Sequence, residues 1–100
     1  MKKRFVVILK RESKEADDAF LEAIREWSIG WWHWMPNAWL LTDREGTLSA
    51  AEIRDRLTAI YTERCLVLEL RADGSDTWAG FGPSGKKSMF DWVRTNWRKG

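Results

Sequence analysis

The stretch WWHWMPNAW, residues 31 to 39, crowds four tryptophans, a histidine and a methionine around a Pro36-Asn37 pair. Proline and asparagine both form turns, and Pro36 has no N–H to give to a ladder. The simplest reading is therefore a hairpin of two short strands, 31–35 and 38–42. A regular two-residue turn pairs Trp34 with Trp39 and Trp32 with Leu41 on one face. It pairs Trp31, His33 and Met35 with Thr42, Leu40 and Ala38 on the other. Both faces are then apolar, and a single layer of helices cannot cover both. One set of rings belongs to a core, and the other needs a further helix, a partner or a ligand.

The rest of the chain supplies the layers. FVVIL (5–9) is apolar on both alternating faces, as in a central strand covered from two sides. Ala16, Phe20, Ile24 and Trp27 recur at helical spacing, with Glu12, Glu15, Asp17 and Asp18 placed to complement a helix N-terminus. Gly30 is expected to stop that helix. Asp43 to Gly46 reads as a loop, and Ser49 with Glu52 forms a capping box opening a helix that turns Ile53, Leu57 and Ile60 inward. Residues 64–71 alternate, with Leu66, Leu68 and Leu70 on one side and Cys65, Val67, Glu69 and Arg71 on the other. A turn at 72–75 and a loop lead into a last helix near 88–98, where Met89, Val93 and Trp97 share a stripe flanked by Phe90 and Trp92.

The order β-α-β-β-α-β-α in 100 residues allows one domain. The first six elements are those of the ferredoxin-like α+β fold, a four-stranded antiparallel sheet with both helices on one face. The loop and helix of residues 72–100 are appended to it. The opposite face of the sheet needs a cover, which the last helix supplies in part and a second copy of the chain can complete.

Charge and cysteine content narrow the setting. The formal net charge of +2 divides into five basic groups without an acid in residues 1–11, net +4 in residues 86–100, and net −7 between them. Basic termini can gather phosphates or simply solubilise chain ends. The basic start resembles the flank of a signal peptide, but Lys10 and Arg11 close the apolar run too early, so it reads as a strand. No apolar run approaches the roughly 20 residues of a membrane span, so no membrane partner is expected. A single cysteine, Cys65, excludes an internal disulfide and fits a reducing cytoplasm.

The run WWHWMPNAWLLTD, followed by LSAAEIRDRL, LVLEL, WAGF and DWVRTNW, resembles the small SinR-family proteins over nearly the whole chain. (The helix-turn-helix sporulation regulator of similar name is unrelated.) The family is similar in fold to the metal-dependent nuclease subunit of CRISPR adaptation complexes and to virulence-associated ribonucleases. The resemblance implies a ferredoxin-like fold, a homodimer and a historical link to nucleic acid. It carries over no catalytic residue. In the nuclease relatives an aspartate at the end of the first strand binds the metal, whereas this strand ends Ile8-Leu9-Lys10-Arg11. A lysine repels a divalent cation where hard oxygen ligands are required.

The remaining motifs carry little chemistry. In GFGPSGKKS (80–88), Gly80, Gly85 and Lys86 match a phosphate-loop pattern, but Lys87 stands where the Mg²⁺-binding hydroxyl belongs, and no chain remains for further parallel strands. Lys86 and Lys87 are thus candidate anion-binding residues only. His33 and Cys65 are the only residues of their kinds, so no zinc cluster or nucleophile–base pair emerges, and neither a metal nor a cofactor is expected. Close acidic pairs such as Asp17 and Asp18 read as capping groups. The resulting expectation is a non-enzymatic homodimeric module. It would recognise a protein or nucleic acid through Trp31, Trp32, His33, Trp34 and Trp39, with Lys10 and Arg11 expected near the hairpin turn to meet phosphates. A metal-dependent endonuclease, or a nucleotide or small-anion binder, is the alternative.

Overall fold

A computed structural model describes residues 2–70 and 91–97. The 80–88 motif, with Lys86 and Lys87, lies outside the described residues. Four strands and two helices follow in the order β1 (Lys3–Leu9), α1 (Lys14–Trp27), β2 (Gly30–Met35), β3 (Ala38–Asp43), α2 (Ala50–Tyr61) and β4 (Cys65–Glu69). A π-helical segment, Val93–Trp97, comes last. The sheet order is β2-β3-β1-β4 with every neighbouring pair antiparallel. This is the ferredoxin-like α+β arrangement, in which each crossover skips one strand.

Local chemistry sets the helix boundaries. The Ser13 hydroxyl accepts from Ala16 N at the start of α1, and the Ser49–Glu52 capping box opens α2 with both reciprocal bonds made. At the other end of α1 the left-handed residue is Ser28, φ 57°, and not the glycine that the sequence offered. Gly30 instead begins β2, where a Cβ would stand 2.6 Å from Thr42 Oγ1 and 3.2 Å from the Trp92 ring. The position thus demands glycine for close approach rather than as a helix stop.

The alternation of β1 divides the protein into two layers. Phe5, Val7 and Leu9 join Trp39 and Leu41 of β3 on the face covered by α1 and α2, whose Phe20, Ala23, Ile24, Ile53, Leu57 and Tyr61 complete the main core. On the opposite face, Val6, Leu40 and Leu70 pack with Trp92 around Trp32, Val93 and Trp97. Cys65 and Val67 of β4 turn toward the main core, which leaves Leu66 and Leu68 on the opposite face.

The hairpin departs from the regular register. Met35 pairs with Ala38 across the turn as expected, but Trp32 pairs with Leu40, Trp31 with Leu41 and Gly30 with Thr42. A β-bulge lies between Trp32 and Met35, so that His33 and Trp34 together oppose Trp39. One extra residue reverses the facing of everything beyond it. Trp31 joins Leu41 on the helix-covered face, and Trp32 joins Leu40 on the opposite one, each contrary to the pairing of a regular hairpin.

Replacing Gly30 with alanine is expected to cost about 1–3 kcal/mol through the clash with Thr42. Adding Thr42→Ala should recover much of that loss, because it removes the atom the new methyl group meets. Urea unfolding of the two single variants and the double variant measures this coupling.

Candidate functional site

The bulge brings His33 onto the helix-covered face, where it stacks on Trp39 with ring centroids 3.7 Å apart and planes 6° from parallel. His33 Nδ1 lies 2.9 Å from the Ala38 carbonyl oxygen and Nε2 lies 3.2 Å from Asp17 Oδ2. The other Asp17 oxygen accepts from the Tyr61 hydroxyl at the end of α2. Asp17 therefore ties α1 to both the hairpin and α2, although its sequence position suggested only a group complementing a helix start. Nothing in the sequence spacing signals this meeting of residues 17, 33 and 61.

The geometry limits what this cluster can do. Both neighbours of His33 are acceptors, so neither ring nitrogen turns a lone pair toward solvent to receive a proton from a substrate. Burial, and then the Asp17 carboxylate, push the Tyr61 phenol far above its ordinary range. The Trp39 indole N–H lies near the same phenol oxygen and opposes part of that rise. It falls short of hydrogen-bond geometry, so Trp39 Nε1 is left buried without a partner. Among the described residues, no three His, Cys, Asp or Glu side chains gather in metal-binding geometry. Burial also raises the Cys65 thiol above its usual range, opposed in part by Arg54, and so suppresses the nucleophilic thiolate.

The five hairpin residues thus separate. Trp39 is fully buried, edge-on to Phe20 at 5.0 Å, and Trp32 is buried under the π-helical segment. His33 is held within the Asp17 cluster. Trp31 and Trp34 stay exposed, at 43% and 45%. Asn37 Nδ2 donates to the carbonyls of Leu9 and Lys10, which places the hairpin turn against the end of β1. Lys10 and Arg11 are at that edge, and each pairs with Glu63, at 3.5 and 3.3 Å.

The face of the sheet away from the helices is organised in rows. Met35, Ala38, Ile8 and Leu66 lie side by side across all four strands, and Trp32, Leu40, Val6 and Leu68 form the next row. The π-helical segment packs on Trp32, Leu40, Val6 and Leu70. Toward the hairpin turn, Met35 is 44% exposed, Ile8 43%, Leu66 52% and, in the second row, Leu68 44%. The described residues contain no helix long and apolar enough to cross a membrane.

Tyr61 is the only tyrosine, so its ionisation can be followed directly. Its folded value is raised, so its contribution to stability is complete below the unfolded value near 10 and is lost as pH rises above it. Tyrosinate absorbance should therefore stay silent in the folded protein near pH 10 and rise only with unfolding. Stability should fall by up to about 1.4 kcal/mol per pH unit above that point, and Tyr61→Phe should remove this slope. No protein-family model, curated protein or solved structure matches the chain.

Proposed function

We propose that this chain is a non-enzymatic interaction module that works as a homodimer, with the open end of the sheet face as its seam. The observation that carries this reading is the contiguous row Met35–Ala38–Ile8–Leu66 with Leu68 beside it, in which four large apolar side chains are each more than 40% exposed. An apolar patch of this kind marks an interaction surface. The row reaches β4, which among the described residues is an edge strand whose outer backbone groups have no neighbour within the sheet. A two-fold axis beside that edge sets the same leucines of two copies against each other, the self-complementary arrangement that a closed dimer requires.

A second reading is nucleic-acid binding, supported by the exposed indoles of Trp31 and Trp34 on β2, the strand whose turn meets the Lys10 backbone. The Glu63 pairs of Lys10 and Arg11 weigh against it, since they neutralise part of the charge that phosphates would meet. The nuclease alternative is weaker still, because that same cationic pair stands where a metal-binding carboxylate would be needed.

Light scattering after size exclusion is expected to give a dimer at micromolar concentration. Leu66→Lys, at a position already half-exposed, should keep the circular dichroism spectrum and weaken association at least about tenfold. A wild-type protein that stays monomeric at high concentration would sink the proposal.

A further inference from the structure

At the opposite end of the sheet from the hairpin turn lies a cavity of about 440 Å³, within the about 300–1,000 Å³ of small-molecule sites. Its walls come from four parts of the chain. Trp27 and Ser28 close α1, Gly30 and Thr42 form the sheet end, Arg44, Glu45 and Thr47 belong to the loop after β3, and Trp92 and Asn96 come from the C-terminal segment.

Two kinds of chemistry meet there. Trp27 and Trp92 offer indole surface from opposite layers of the protein, and both are only partly buried. Gly30 brings Trp92 close, since its missing Cβ leaves the ring 3.2 Å from where that carbon would be. The second element is positive charge. Arg44 lines the cavity, and the Lys2 ammonium donates to the carbonyl of Asn96, itself a wall residue. Arg4 lies over the Trp97 ring, with its guanidinium carbon 5.4 Å from the ring centre. Burial first, then repulsion from Arg4 and Arg44, lower the Lys2 ammonium below its usual range. An anion placed among these cations relieves that repulsion. Two carboxylates, Asp43 and Glu45, also line the cavity and oppose an anion in part; Asp43 accepts from the Glu45 and Leu48 amides, at 3.2 and 2.8 Å, and Glu45 is exposed to solvent that screens it, which leaves the three cations in excess.

We propose that this cavity binds a nucleoside monophosphate, with the base against the Trp27 and Trp92 indoles and the phosphate at Arg44. The ligand is either a free nucleotide or the phosphate-bearing end of a strand, which present the same chemistry. Indoles bind the face of any base, and the arginine fork suits a phosphate. The site is remote from the self-association seam and stands or falls independently of it.

Calorimetric titration of the full-length protein with adenosine 5′-monophosphate tests this. Saturable binding of one nucleotide per chain is expected, with adenosine and inorganic phosphate each weaker by about tenfold or more. Arg44→Ala should lower the nucleotide affinity to that of adenosine and leave adenosine unchanged. Thr47→Trp, at an exposed loop position on the cavity wall, should abolish both while leaving the oligomeric state as in the wild type. A 5′-phosphorylated oligonucleotide that binds more tightly than the mononucleotide, and loses that gain in the Arg44 variant, assigns the strand end. Equal affinity assigns the free nucleotide, and both results support the site. No binding at millimolar nucleotide, or unchanged binding by the Thr47 variant, overturns it.

Discussion

The extra residue at His33–Trp34 decides which tryptophan enters which layer, and the Asp17 carboxylate holds that decision in place. In a regular hairpin His33 would pair with Leu40 and face away from the helices. The bulge turns it onto Trp39 and within reach of Asp17. The same displacement sends Trp32 to the opposite face, where Val93 and Trp97 pack around it. A carboxylate with 19% of its side chain exposed is costly unless it is well bonded, and Asp17 accepts from Tyr61 and meets His33. Bulge, cluster and C-terminal packing are consequently one constraint seen at three places.

That constraint also accounts for the uneven cover on the second face. The C-terminal segment is drawn to the rows that contain Trp32 and Arg4, because a buried indole and an arginine stem offer it surface. The row at the turn receives no such cover from it, and its residues are aliphatic rather than aromatic. The facing of the exposed patch is set by the regular Met35–Ala38 pair and the β1–β4 register, and the bulge sets only which rows hold Trp32 beside it.

Much of the fold was legible because periodicity and capping are local. The alternation of β1, the helical stripe through Phe20 and Ile24, and the Ser49–Glu52 box each lie within a few residues, and together they dictate the βαββαβ order. The bulge was not legible, since nothing in WWHWMPNAW distinguishes a regular ladder from one with an added residue, and the His33–Asp17 contact that accompanies it reaches sixteen positions upstream. Helix ends were partly hidden for a similar reason. Ser28 and Thr62 both adopt left-handed backbone, at φ 57° and 53°, where glycine is the expected signal. Of the candidate site, the need for a second cover over the sheet could be read from two apolar faces, but the cavity beside Gly30 joins residues 27 to 96 and has no signature in spacing.

The charge pattern shows how far a sequence tally differs from a surface. Residues 2–4 and 10–11 read as a basic N-terminal edge, yet most of that charge is committed. Lys3 donates to the Leu48 carbonyl at 2.8 Å, Arg4 is 5% exposed against Trp97, and Lys10 and Arg11 face Glu63. Like charges cluster where tertiary structure brings Lys2 and Arg4 to Arg44, forty residues away in the chain. Burial first and then those two guanidiniums lower the Lys2 ammonium below its usual range, and an anion bound nearby would raise it again. The clustered cations thus lie at the end of the sheet away from the tryptophan hairpin, while the hairpin end has apolar surface and partly neutralised charge.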